Sequence, residues 1–260
     1  MDLLQSIILG IIEGITEFLP ISSTGHLIIA SNYMGISDQA FTKAFEVIIQ
    51  SGAILAVLIL YWKKFCSNLL FYKKLFVAFI PTVIIGLLVK DIVDQVLGSV
   101  LVVAWSLIIG GVILIWSDKK FAPLQTAGKS IDDLSFKELL LIGLAQTVAF
   151  IPGVSRSGAT IIGGLSLGMN KKEAAEFSFF LAVPTMAAAT AYKLLKILKD
   201  IEPSQIQLLA VGWVVSLIVA IIAIKAFIGI VSRYGFKYFG IYRILVGAII
   251  LLLVQQGSLK

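Results

Sequence analysis

Apolar residues in this chain run in long unbroken stretches and stop at charged pairs; they do not alternate with polar residues at the period of a strand or of a soluble amphipathic helix. Such runs fall near residues 40 to 62, 74 to 90, 99 to 117, 172 to 195, 205 to 230 and 237 to 255. Each comes close to the roughly 20 residues that a membrane-crossing helix needs, and none has the dyad alternation of a transmembrane barrel. The pattern predicts an all-α integral membrane protein, a polytopic helical bundle with about six full crossings.

Two further apolar runs, at the N-terminus and after residue 136, are each broken in the middle by proline, serines and glycine. The pieces on either side are too short to cross alone, so each run is expected to be a re-entrant helix hairpin. Irregular backbone at that depth is tolerated only where protein or a wet cavity satisfies it. Three crossings per half is an odd number and the hairpins add none. The halves are therefore expected to be inverted copies, repeat one over 1–117 (hairpin 1–35) and repeat two over 136–260 (hairpin 136–168), joined by a loop over 118–135, with a site near the midplane. Pro81 and Pro184 are expected to kink crossing helices.

The hairpins read as diverged copies. Phe18 matches Phe150, Pro20 matches Pro152, and Gly25 matches Gly158 after one inserted residue; further along, Phe45 pairs with Phe177 and Gly110 with Gly247. Only the first copy carries Glu13, Glu17, Ser23 and His26, where the second has Ala145, Ala149, Arg156 and Ala159. Acids and imidazole come from one half and guanidinium from the other, as in two halves of one site.

Glu13 and Glu17, four apart, share a helix face and can hold a divalent cation, Mg²⁺ or Ca²⁺, against a phosphate. The plainer alternative is a pair of acids snorkelling to the interface or sealing a helix contact, but an intramembrane ionisable group costs about 2.5 to 3.5 kcal/mol on insertion scales and is functional by default. Ser22, Ser23 and Thr24 precede a returning helix whose N-terminus suits an anion, and the three-residue step from Ser23 to His26 lets the imidazole activate the hydroxyl or a water. An N-cap serine with a packing histidine is the bland counterpart. Arg156, with Ser155, Ser157 and Thr160 on the same turn, supplies a guanidinium fork and hydroxyl donors for phosphate oxygens. An ion pair from Arg156 to Glu13 or Glu17 for structure alone is the alternative there. Glu46 and Gln50 share a face of the 40 to 62 segment and are weaker candidates. Three nucleophiles stay open: Ser23, His26, or water with His26 as base.

Composition sharpens this picture. Hydrophobic residues make up 59% of the 260, and the mean hydropathy of +1.02 is far above that of a soluble domain. The net charge of +6 sits at the ends of apolar runs, which argues for topology signals and against nucleic acid as partner. One face collects 14 lysines and arginines, among them Lys63, Lys73, Lys74, Lys119, Lys171 and Arg243, and the other six, including Lys43, Lys90, Lys199 and Lys260. The richer face is expected to be cytoplasmic, which puts both termini and the first hairpin on the outer side. Cys66 is the single cysteine, so there is no intrachain disulfide. The N-terminus lacks a basic n-region and is expected to be retained. No P-loop is present, which argues against an ATP-driven pump.

The stretches E-G-I-T-E-F-L-P-I-S-S-T-G-H from Glu13 and P-G-V-S-R-S-G-A-T from Pro152, with A-F-E-V-I-I-Q-S-G-A-I-L-A from Ala44 and E-F-S-F-F-L-A-V-P from Glu176, closely resemble the bacterial undecaprenyl-diphosphate phosphatases of the bacitracin-resistance family. The resemblance implies a plasma-membrane enzyme, open to the outer face, that removes the terminal phosphate of undecaprenyl diphosphate with a divalent cation and so recycles the carrier lipid of peptidoglycan synthesis. It places Glu13 and Glu17 in the family's acidic motif, Ser23 and His26 in its Ser-His element, and Arg156 as its phosphate-binding arginine. Apart from the resemblance, a transporter or flippase for a phosphorylated lipid fits the inverted-repeat pattern equally well, and so does a combined phosphatase-flippase that hydrolyses the lipid while helping it cross the membrane.

Overall fold

The computed structural model describes residues 1–96, 98–125, 127–197, 202–257 and 259. Its long elements are helices: α1 (Leu3–Thr16), α2 (Ser23–Tyr33), α3 (Ala40–Leu60), the single turn α4 (Trp62–Phe65), α5 (Leu69–Val96), α6 (Val100–Lys120), α7 (Phe136–Thr147), α8 (Arg156–Ser166), α9 (Lys171–Ile197), α10 (Pro203–Tyr234) and α11 (Lys237–Gln255). Six of them are long and apolar enough to cross a membrane, over Ala40–Leu60, Leu69–Val93, Val100–Lys120, Lys171–Tyr192, Gln205–Tyr234 and Lys237–Gln255. These spans coincide with the six apolar runs to within a few residues. Pro81 and Pro184 lie inside the unbroken helices α5 and α9.

The helix starts follow local chemistry. Asp2 caps α1 in a capping box with Gln5, and Ser135 caps α7 in one with Glu138. Helices α1, α2, α7 and α8 hold 14, 11, 12 and 11 residues, so the longest is about 21 Å and shorter than the hydrocarbon core.

Packing joins the two halves throughout. Helix α1 lies against α10, α7 against α5, α3 against α9, and α6 against α11. At the last pair the backbones touch: a Cβ on Gly111 would stand 2.6 Å from the Gly240 carbonyl oxygen, and one on Gly240 would stand 2.7 Å from that of Gly111. Small residues allow this close approach, which matters where lipid removes the hydrophobic drive between helices. The main core is aromatic, with Phe18 set edge-on to Phe179 at 5.2 Å and Phe180 edge-on to Tyr61, Phe65 and Phe71. Outward-facing side chains such as Leu87, Leu88, Ile109 and Leu245 are apolar and exposed, as a lipid-facing surface requires.

Three basic residues do more than flank a span. Lys74 is buried and donates to the Ile131 and Asp132 carbonyls, and Lys171 is buried against Asp118 at 2.5 Å. Arg243 does not belong in the charge count at all: it is 1% exposed, deep between the halves. The predicted flanks Lys199 and Lys260 lie outside the described residues.

Candidate active site at the meeting of two turns

The two hairpin turns share an unusual backbone. Among the described residues the only non-glycine positions at positive φ are Ser22 (71°) and Ser155 (76°), which match each other in the repeat alignment. Each caps the returning helix through its hydroxyl, which accepts from the Gly25 N–H at 3.3 Å and from the Gly158 N–H at 3.1 Å. Left-handed serines are costly unless their surroundings over-determine them, and such positions gather at functional sites.

One residue beyond each cap stand Ser23 and Arg156, and they converge on one carboxylate. The Ser23 hydroxyl donates to Glu17 Oε2 at 2.5 Å, and Arg156 Nη2 donates to Glu17 Oε1 at 2.8 Å. Glu17 and Ser23 are 7% exposed each, and Glu13, one turn earlier, is fully buried. Arg156 Nη1 is held by the carbonyl and hydroxyl of Ser178, and the Ser178 hydroxyl also accepts from Thr160 at 2.7 Å. The hairpins are tied directly by Ser157, whose hydroxyl donates to the Leu19 carbonyl at 2.8 Å.

Several groups here have no partner. Both oxygens of Glu13, Oε1 of Glu46 and Nε of Arg156 are buried without a hydrogen bond. Buried polar groups are normally satisfied, so orphaned acceptors and a donor gathered at one site mark where a ligand belongs. The oxygen-only set of Glu13, Glu17 and Ser23 suits a hard cation such as Mg²⁺ or Ca²⁺. Among the described residues no three His, Cys, Asp or Glu side chains converge on one point, so these residues fit a cation that takes its remaining oxygens from substrate and water.

The other predicted residues divide. His26 turns away from Ser23: Nδ1 meets the Ser22 carbonyl and Nε2 the Tyr242 hydroxyl, both at 2.8 Å, with the His26 and Tyr242 rings stacked at 5.6 Å. Ser155, Ser157 and Thr160 already use their hydroxyls within the turn and across to Leu19 and Ser178, and Ser22 uses its own as a cap. Thr24 is half-buried beside Ser23.

Sequence reading overlooked Ser178, Tyr242 and Arg243. Arg243 carried a usable signal, since an ionisable residue six positions into an apolar run is a functional candidate by default. Tyr242 and Ser178 carried none, because a tyrosine or serine on a crossing helix is common.

The profile of the family described as Bacitracin resistance protein BacA matches residues 6–249. The chain is 70% identical over 257 residues to an undecaprenyl-diphosphatase of Bdellovibrio bacteriovorus, covering 99% of this chain and 98% of that one. It is 51% identical over 256 residues to an undecaprenyl-diphosphatase of Flavobacterium johnsoniae (97% and 96% covered), and 46% identical over 280 aligned positions to one of Porphyromonas gingivalis (99% and 98% covered). With nearly its whole length matched at these identities, the chain belongs to the bacitracin resistance protein BacA family.

Proposed function

We propose that this chain hydrolyses undecaprenyl diphosphate to undecaprenyl phosphate and inorganic phosphate, which recycles the carrier lipid for peptidoglycan synthesis and confers bacitracin resistance. The observation that carries the reading is the convergence of Ser23 and Arg156, from opposite halves, on the buried Glu17. Family membership and the names of its relatives supply the substrate.

In the proposed reaction the Ser23 hydroxyl attacks the terminal phosphorus and passes its proton to Glu17 Oε2, to which it already donates. The P–O bond to the bridging oxygen breaks and undecaprenyl phosphate leaves. Water then attacks the phosphoserine while Glu17 returns its proton to the leaving Ser23 oxygen, which restores both the hydroxyl and the carboxylate and releases phosphate. Arg156 offers the unpartnered Nε to a phosphate oxygen while Ser178 holds Nη1 in place. Glu13, with Glu17, would hold Mg²⁺ or Ca²⁺, which would neutralise charge on the diphosphate. Ser23 is favoured over His26 as nucleophile because the hydroxyl has a base in contact, whereas both imidazole nitrogens are engaged elsewhere.

The same reading places the protein in the bacterial plasma membrane as an inverted repeat with two re-entrant hairpins and a site open to the outer face. Supporting this, exchanging the two halves turns the α1 and α10 pair into the α7 and α5 pair, and the two hairpin caps share one conformation. The positive flanks favour an outward first hairpin.

Substrate labelled in its terminal phosphate, quenched during turnover, should leave label on the wild-type chain and none on Ser23→Ala, and EDTA should suppress phosphate release. Full turnover by Ser23→Ala, or label on His26, would remove the serine mechanism. Absence of phosphate release by the detergent-solubilised wild type would remove the hydrolase reading. For topology, a Cys66→Ser chain with a single cysteine at Lys73 or Asp91, both exposed, should react from opposite sides of intact cells; labelling from one side only would end the inverted-repeat proposal.

A further inference from the structure

Arg243 sits on α11, away from both motifs, and every N–H of its guanidinium is used. Nε donates to the Leu107 carbonyl at 3.3 Å and Nη2 to those of Ser106 and Gly153, both at 3.0 Å. Nη1 donates to the carbonyls of Pro20 and Val154, both at 2.9 Å. Five donors thus meet five backbone carbonyls, the full capacity of an arginine. Pro20 belongs to the first hairpin turn, Gly153 and Val154 to the second, and Ser106 and Leu107 to α6. Among the described residues no carboxylate forms an ion pair with it, so its partners are carbonyl dipoles alone. Gly110 leaves the room: a Cβ there would lie 2.1 Å from Nη2.

The placement has a direct consequence for the site. Pro20 stands three residues before Ser23, and Val154 two before Arg156, the pair that grips Glu17. We propose that Arg243 is a positioning residue that clamps the two hairpin turns in register, so that the serine and the arginine reach one carboxylate. The inference rests on the hydrolase reading for its catalytic consequence, and on geometry alone for the clamp. Lysine cannot replace it, having three donors on a point charge where five directed ones are needed.

Two variants and two readouts test this. Arg243→Lys removes the fork, and Gly110→Ala leaves Arg243 intact but drives its guanidinium off the carbonyls while favouring the α6 helix. In a Cys66→Ser chain, spin labels at Ile15 and Val148, one beside each turn and both exposed, report the separation of the hairpins. Wild type should show one narrow distance, and each variant a broader or shifted one. Turnover of undecaprenyl diphosphate per folded molecule should fall about 10²-fold in each, the scale of an ångström-level misplacement, with KM changed far less. In an Arg156→Ala background Arg243→Lys should cost less than in the wild type, since one of the two groups it brings together is gone. An unchanged distance distribution in both variants overturns the clamp whatever turnover does, and so does wild-type turnover in both. If Arg243→Lys fails to insert, Gly110→Ala decides by the same two readouts. A wild-type chain that releases no phosphate would count against the hydrolase reading, and the distance measurement would still decide the clamp.

Discussion

The first hairpin and the second use nearly the same backbone for opposite ends. Each places a left-handed serine cap before an 11-residue returning helix. In the first, the positions ahead of and behind the cap hold Glu13, Glu17, Ser23 and His26, and the result is a buried polar site with unpartnered oxygens. In the second, Ala145 and Ala159 stand where Glu13 and His26 do, and they line an apolar cavity of about 440 Å³. The two turns therefore share a frame and divide the chemistry. Neither hairpin completes the site alone: the first has no lysine or arginine to set against its carboxylates, and the second brings a guanidinium to its turn but no acid.

That division is most exposed at Glu17, where Ser23 of the first hairpin and Arg156 of the second meet. Glu17→Gln keeps the size but loses the base that takes the Ser23 proton and the charge facing Arg156, so phosphate release should fall by about 10³-fold, within the range for a lost general base. Removing one partner of a buried pair also costs on the order of 3 to 5 kcal/mol, so the thermal midpoint should drop as well. Turnover within tenfold of wild type would break the comparison, because the hairpins would then meet without shared chemistry.

Arg156→Lys comes next. It keeps a charge but loses the fork that reaches Glu17 and Ser178 at once, and turnover should fall by about 10²-fold. Combined with Ser23→Ala, the loss should be roughly that of the worse single variant, since residues that act as a unit are not additive. A multiplicative double-variant loss would mean that the two sides act independently.

Tyr242→Phe removes one hydrogen bond to His26, worth about 1 kcal/mol, so turnover should fall by roughly fivefold at most. A loss as large as that of Glu17→Gln would move His26 to the centre of the mechanism and weaken the case for Ser23. Smallest of all are the paired cap changes, Ser22→Gly and Ser155→Gly. Glycine relieves the positive φ and replaces a serine cap at a cost of only a few tenths of a kcal/mol, so thermal midpoints should barely move, and by similar amounts. A large drop for one and none for the other would show that the two turns are not equivalent.

Most of the architecture was readable from hydropathy. The crossings, the break points at Pro20 and Pro152 and the split of acids from arginine all follow from local composition, because a span is set by the length of its apolar run and a turn by its own proline, glycine and serines. Partner choice was not readable. The step from Ser23 to His26 suggests a pair, yet Ser23 bonds Glu17 while His26 bonds Tyr242, 216 positions away. Arg243 passed for a topology signal, yet it reaches a carbonyl 223 positions away at Pro20. Helical periodicity states which side chains share a face, and it is silent about what stands opposite that face. That was decided by the docking of the helices, which set what stands opposite each buried polar group, and the groups left without partners at Glu13 and Arg156, beside the Glu17 contact, mark the place kept for a ligand.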